Sequence, residues 1–215
     1  MRIAVIGATG LVGRLLLPKL AAGGHEVHAL QRRVPVELPE GVTVHLAEAT
    51  AWPALVARLA PEGAVSALGT TMRQAGSETA FARGDRDMVL AFAAAARAAG
   101  ARRFATVSSA GADAASRNFY LRLKGQVEEE LQGLGFDRLD IFRPGLLRGP
   151  RGGDRRLGER IGIAVSPLVN LLLRGRLDRY AAIHAEDVAA AIAASFSHEA
   201  RGVFVHHNRE MRRGR

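Results

Sequence analysis

Tyrosine and lysine are scarce in this chain, and one of each falls at helical spacing in Tyr120-Leu121-Arg122-Leu123-Lys124. Side chains four apart on a helix leave from one face. Val127 and Leu131 continue that stripe and direct it toward a sheet. A phenol, with a reference pKa of about 10, is a poor proton donor or acceptor at neutral pH until a nearby ammonium favours its anion. Tyr120 is therefore the expected general acid/base and Lys124 the expected source of that charge. Ser108 and Ser109, at the end of an upstream apolar run, are the expected hydroxyls that orient a substrate carbonyl. Either serine fits ordinary strand-end turn chemistry equally well.

A second constellation opens the chain. Gly7-Ala8-Thr9-Gly10-Leu11-Val12-Gly13 follows an apolar strand and begins a helix. In that context Gly7 makes a tight turn, Gly10 lets the backbone approach a pyrophosphate, and Gly13 allows close packing of the helix. The helix N-terminus then offers unpaired N–H groups and a positive dipole end to the phosphates. A dinucleotide with an adenosine 2′-hydroxyl would call for Asp or Glu at the end of the second strand. The positions there read Gln31-Arg32-Arg33, with no carboxylate. This favours NADP(H) over NAD(H), with Arg32 and Arg33 on the 2′-phosphate and Arg14 as a third candidate. Lys124 would also anchor the nicotinamide ribose.

Short apolar runs alternate with helix-length segments, which predicts parallel strands joined by crossover helices. The expected strands are Ile3 to Ile6, Glu26 to Leu30, Thr43 to Leu46, Ala64 to Leu68, Arg103 to Val107, Leu139 to Phe142, Tyr180 to Ile183 and Val203 to Val205. Helices are expected at Leu11 to Ala22, Asp85 to Ala99, Arg117 to Gln132, about Ile161 to Leu173, and Glu186 to Phe196. The fold class is α/β, a doubly wound parallel sheet forming one domain over residues 1–215. A small C-terminal substrate cap is expected over about 146–180, beginning in the Gly- and Arg-rich loop Arg148 to Gly158.

At 215 residues, with 48% hydrophobic and 24% charged residues, the chain can bury a core and is neither disordered nor fibrous. It has no cysteine, which excludes disulfides, thiolate metal sites and thiol nucleophiles. The opening MRIAVIGATG lacks the pattern of a signal peptide, and the apolar stretch Ile161 to Leu173 is too short to span a bilayer, so the expectation is a cytoplasmic protein without membrane attachment. The net charge of +9 comes from arginines spread along the chain, and aromatics are only 5% of residues, which argues against nucleic acid as a partner. His206-His207 and His198 read as a surface strand end rather than a metal site, and Trp52 before Pro53 as a packing residue at a helix start. Glu128-Glu129-Glu130 reads as a solvated helix face, and Arg212, Arg213 and Arg215 as a flexible basic tail.

The chain resembles the atypical short-chain dehydrogenases/reductases, and within them the NmrA-like, NAD(P)-binding group and the Tat-interactive oxidoreductase-like proteins. The matching stretches are GATGLVG at 7–13, LGTT at 68–71, GDRDMVLAFAAAARAAGARRFATVSSAGA at 84–112, YLRLKGQVEEEL at 120–131 and FRPGLLRGPR at 142–151. The resemblance implies that Leu68, Gly69 and Thr70 line the cofactor, that Glu48 sits near the adenine, and that Pro144 and Gly145 wrap the nicotinamide end. It further implies that Asp85 braces loops at the sheet edge and that the acidic residue within His184-Ala185-Glu186-Asp187-Val188-Ala189 is structural. The function expected is an NADPH-dependent oxidoreductase moving hydride between nicotinamide and a small carbonyl or alcohol, as a monomer or homodimer. The alternative is an NAD(P)H-binding redox sensor or assembly partner with little turnover, since the same superfamily includes such members.

Overall fold

The strand Arg2–Ile6 (β1) is the centre of the molecule because its apolar side chains are buried on both faces of a sheet. Ile3 and Val5 join one apolar cluster, Ala4 and Ile6 the other, as the two-residue period of a strand requires. In this computed structural model, which describes residues 1–34, 39–69, 77–149 and 175–212, β1 is followed by helix Leu11–Ala22 (α1), strands Glu26–Gln31 (β2) and Val42–Leu46 (β3), helix Trp52–Leu59 (α2) and strand Gly63–Ser66 (β4). Helices Glu78–Ala82 (α3) and Met88–Ala98 (α4) come next, then strand Arg103–Val107 (β5), helix Phe119–Gly133 (α5) and strand Arg138–Phe142 (β6). Short strands Leu147–Arg148 (β7) and Ile183–His184 (β8), helix Ala185–Ser195 (α6), strand Gly202–His206 (β9) and helix Asn208–Arg212 (α7) complete the described chain.

Seven strands form one sheet in the order β3-β2-β1-β4-β5-β6-β9, and every neighbouring pair is parallel. This is the doubly wound order, in which the direction of winding reverses between β1 and β4 and opens a crevice at their carboxyl ends. Helices α1 and α6 cover one face through Leu16, Leu20, Val188 and Ile192. Helices α2, α4 and α5 cover the other through Val56, Phe92, Ala96, Val127 and Leu131. Burial on both faces explains why the central strands β1 and β4 read as continuous apolar runs.

Several sequence expectations need correction. Tyr180 to Ile183 is not a strand of the main sheet: Gly175–Tyr180 forms a 3-10 turn, and Ile183 and His184 pair with Leu147 and Arg148 in a separate two-stranded ladder. The helix expected from Asp85 starts as a π-helical turn over Arg83–Asp87 before α4 begins. Glu129 and Glu130 are solvated as expected, but Glu128 is buried. Arg212 does not belong to a loose tail, because its guanidinium donates to Asp178 Oδ1 at 2.8 Å and to the Ala182 carbonyl at 2.9 Å. The helix expected at Ile161 to Leu173 and most of the expected cap lie outside the described residues.

Other expectations hold. Trp52 is buried at the start of α2, and its indole N–H donates to the Ala47 carbonyl at 3.2 Å. Glu186 pairs with Lys19 at 2.5 Å, and Asp187 is buried in the first turn of α6. Among the described residues no helix is long and apolar enough to cross a membrane.

Candidate functional site

The glycine turn is built by close backbone approach. Gly7 has φ of +78°, and a Cβ there would lie 2.4 Å from the Leu68 nitrogen at the end of β4. A Cβ on Gly13 would lie 2.2 Å from the Gly7 carbonyl oxygen, so the first turn of α1 rests directly on the loop. Only glycine permits both contacts. Gly10 donates to Gly7 O at 3.0 Å and precedes α1 without any side-chain cap, leaving the first N–H groups of that helix for an incoming anion. Ala8 and Val12 are buried and fix the turn to the core, whereas Thr9 is exposed and Leu11 half-buried along its outer side.

The flanking strands finish this crevice. Arg32 and Arg33 are exposed just past β2, and Glu48 is exposed past β3. Leu68 and Gly69 follow β4 beside Gly7, with Gly69 exposed; Thr70 lies outside the described residues. At the carboxyl end of β2 the buried Gln31 amide nitrogen has no acceptor among the described residues, and at the end of β4 neither does the buried Ser66 hydroxyl find a partner. An uncapped helix start, two exposed guanidinium groups and polar atoms at strand ends that are unsatisfied among the described residues are a donor set that fits a dinucleotide.

The expected acid/base pair, Tyr120 and Lys124, sits on α5, whose start is set by Asn118: its side-chain oxygen accepts from Leu121 N at 3.1 Å. Because α5 follows β5 in a parallel sheet, its first turns lie at the carboxyl ends of the strands, on the same side as the glycine turn. Tyr120 is half-buried and Lys124 is 4% exposed. The Lys124 ammonium donates to Asp85 Oδ1 at 2.6 Å. Asp85 is held inside the π-helical turn before α4, an irregularity common at functional sites because it re-aims a side chain. Beyond the bracing role expected of it, Asp85 is the carboxylate partner of Lys124. Gly125 packs α5 against the β5–α5 loop, where a Cβ would lie 2.1 Å from Ala114 N.

The two serines differ sharply. Ser108 is buried at the end of β5, its N–H donates to Phe142 O at 2.7 Å, and its hydroxyl donates to Glu128 Oε1 on α5. Glu128 is gripped in turn by Arg143, whose Nε lies 3.0 Å from Oε1 and 3.1 Å from Oε2 and whose Nη2 donates to Oε2. Ser109 is half-buried, and its hydroxyl makes only a long 3.4 Å contact, to the Ala110 carbonyl, among the described residues.

Pro144 is buried and Gly145 half-buried after β6. Gly145 is required by packing, since a Cβ would lie 2.2 Å from the Ala181 carbonyl. Asn208, fully buried and absent from the sequence expectations, ties this region together. Its Oδ1 accepts from Gly145 N at 3.0 Å, and its Nδ2 donates to Ala181 O at 2.7 Å and Asp178 O at 2.9 Å. Burial holds the neighbouring His207 imidazole below its ordinary pKa, opposed by Glu210 and reinforced by Arg143. His206 is engaged by Asp140 at 2.7 Å and stacks on Phe142.

Comparison with known proteins agrees with the fold. A family model described as NAD(P)H-binding matches residues 7–199. "Protein fmp52, mitochondrial" of Emericella nidulans is 37% identical over 158 residues, covering 69% of this chain and 68% of that protein. "Protein HTATIP2" of Rattus norvegicus is 51% identical over 80 residues, covering 37% of this chain and 33% of that protein. The Bordetella bronchiseptica enzyme WbmH, solved in complex with NAD+, superposes with a TM-score of 0.69 at 15% identity, over 96% of this chain and 75% of its own. The expectation of a cytoplasmic protein is overturned here, because fungal relatives matched over most of the chain carry mitochondrial names. The extent of the family match, on a chain with the doubly wound strand order, makes this protein a member of the NAD(P)H-binding family of atypical short-chain dehydrogenases/reductases.

Proposed function

We propose that the protein is an NADP(H)-dependent oxidoreductase that acts on a small carbonyl or the corresponding alcohol. The observation that carries this reading is the buried Lys124 ammonium, fixed by Asp85 one helical turn from Tyr120 at the carboxyl ends of the strands. A buried ammonium needs a strong reason to be there, and a phenol that must gain and lose a proton supplies one.

The chain's own groups divide the work as follows. The N–H groups after Gly10 take the pyrophosphate, with Gly7, Ala8, Thr9, Leu11, Val12 and Gly13 shaping the turn around it. Arg32 and Arg33 take the adenosine 2′-phosphate as charge-assisted donors, which is the reason for favouring NADP(H). When bound, the nicotinamide supplies or accepts the hydride. Tyr120 Oη delivers a proton to the substrate oxygen in reduction and removes it in oxidation. Lys124 holds the ribose and keeps a positive charge beside the phenol; its remaining N–H donors are available for this while one stays on Asp85. A serine hydroxyl at the end of β5 donates to the substrate oxygen and orients it for transfer. Segment 146–180 supplies the substrate cap.

The test is Tyr120→Phe in the full chain, with NADPH oxidation followed across a panel of aldehydes and cofactor affinity measured by calorimetry. Turnover is expected to vanish while NADPH affinity stays within about twofold, because only the proton donor is lost. A fully active variant removes Tyr120 from the chemistry. If the parent protein binds NADPH but no carbonyl oxidises it, the sensor reading replaces the enzyme reading.

A further inference from the structure

Glu128 is the buried carboxylate that the reaction scheme above leaves unused. It is 3% exposed, one turn beyond Lys124 on α5, and it meets the ends of two strands at once. We propose that Glu128 is a positioning residue: it occupies the Ser108 hydroxyl proton and fixes α5 to the strand ends, which leaves Ser109 as the hydroxyl that donates to the substrate oxygen. The proposal rests on the oxidoreductase reading and decides which serine that reading uses.

The argument is one of proton counting. A serine hydroxyl carries a single donor, and a carboxylate held by a guanidinium is an acceptor only. With the Ser108 proton on Glu128 Oε1, Ser108 offers lone pairs and nothing else, so it cannot donate to a carbonyl. Breaking that bond would strip a donor from a carboxylate shielded from water, a change the buried site resists. Ser109, next in the chain, has no comparable acceptor among the described residues.

The clamp joins the three elements that carry the chemistry. Glu128 belongs to the helix of Tyr120 and Lys124, Ser108 to the serine turn, and Arg143 to the strand end that leads into Pro144 and Gly145. Backbone bonds run parallel to it, from Ser108 N to Phe142 O at 2.7 Å and from Ala110 N to Pro144 O at 2.9 Å. The backbone bonds tie turn to strand, and the carboxylate adds the helix.

The experiment compares Ser108→Ala, Ser109→Ala and Glu128→Gln in the full chain. Ser109→Ala is expected to lower kcat at least about 100-fold, as loss of a preorganised donor does, and Ser108→Ala less than about tenfold. Glu128→Gln should lower kcat about tenfold through displacement of the serine turn, with the KM for NADPH unmoved. A Ser108→Ala variant as inactive as Ser109→Ala, or a Glu128→Gln variant that alters only the KM for NADPH, overturns the proposal. Proton NMR gives an answer that does not require turnover. The parent protein should show a slowly exchanging hydroxyl proton coupled to the Ser108 β-protons, and Glu128→Gln should lose or shift it. No such proton in the parent sinks the clamp, whereas a protected proton in a protein without turnover leaves the clamp standing and refutes the oxidoreductase reading.

Discussion

Removing one member of the Asp85–Lys124 pair should destabilise the fold far more than removing both. The side chains are 0% and 5% exposed, so solvent screens the pair little, and the partner left behind is a charge in an apolar surrounding. Asp85→Leu strands the ammonium and should cost about 3–5 kcal/mol, with Lys124→Met in the same range. In a domain of this size about 1 kcal/mol corresponds to roughly 2–4 °C in Tm, so each single variant should melt about 6–20 °C lower. The double variant replaces the pair by apolar side chains of similar volume and should recover to within about 2 kcal/mol of the parent. Urea unfolding followed by circular dichroism on cofactor-free protein gives the cycle directly. The double variant also separates stability from chemistry, because it should be well folded and yet inactive without the Lys124 ammonium. If the two single losses simply add in the double variant, the pair is not a buried unit and the reasoning that places Lys124 fails.

Two further outcomes follow from the geometry. Arg32→Ala and Arg33→Ala should each raise the Kd for NADP(H) about tenfold or more, the worth of a charge-assisted hydrogen bond, and leave the Kd for NAD(H) nearly unchanged; equal losses for both cofactors in calorimetry would remove the 2′-phosphate from these arginines. Stability should fall with acid below about pH 6.5, because burial holds His25, His45 and His207 below the ordinary imidazole value. In that window the unfolded chain takes up protons that the folded chain refuses, so the contribution is complete above the unfolded pKa and is lost as the pH drops. At His45 the His28 ring and Arg58 add to the effect of burial, and His45→Asn should flatten the decline in Tm between pH 7.5 and 5.5; a Tm that rises on acidification contradicts the assignment.

The scaffold was readable because its physics is local. A parallel strand buried on both faces is mostly apolar, and α1 and β5 run over the expected spans Leu11–Ala22 and Arg103–Val107. The glycine turn was equally legible, since positive φ at Gly7 and close packing at Gly13 leave no other residue type. Tyr180 to Ile183 was misread for a tertiary reason. Its apolar pattern fits a strand, but Gly145 lies against the Ala181 carbonyl, and Asn208 from beyond β9 holds that peptide in a turn. The start of α4 was misread because no local rule distinguishes a π-helical turn, here Arg83–Asp87, from an α-helical one.

Glu128, Asn208 and the pairing of Asp85 with Lys124 escaped for a common reason. A charge or amide in a sequence is weighed against its neighbours within a turn, and by that measure Glu128 and Asn208 are ordinary surface residues and nothing links Asp85 to Lys124. Their partners are distant: Lys124 lies 39 positions from Asp85, Ser108 20 positions from Glu128, and Gly145 63 positions from Asn208. Buried polar groups have to be satisfied, so each such residue fixes the relative placement of two elements that the apolar core alone would let slide. All three act at the carboxyl ends of the strands, where Lys124, the serine turn and the Pro144–Gly145 loop must be held together. The apolar residues determine which layers pack, and these few polar contacts determine how accurately the elements that carry the proposed acid/base pair and serines are held together.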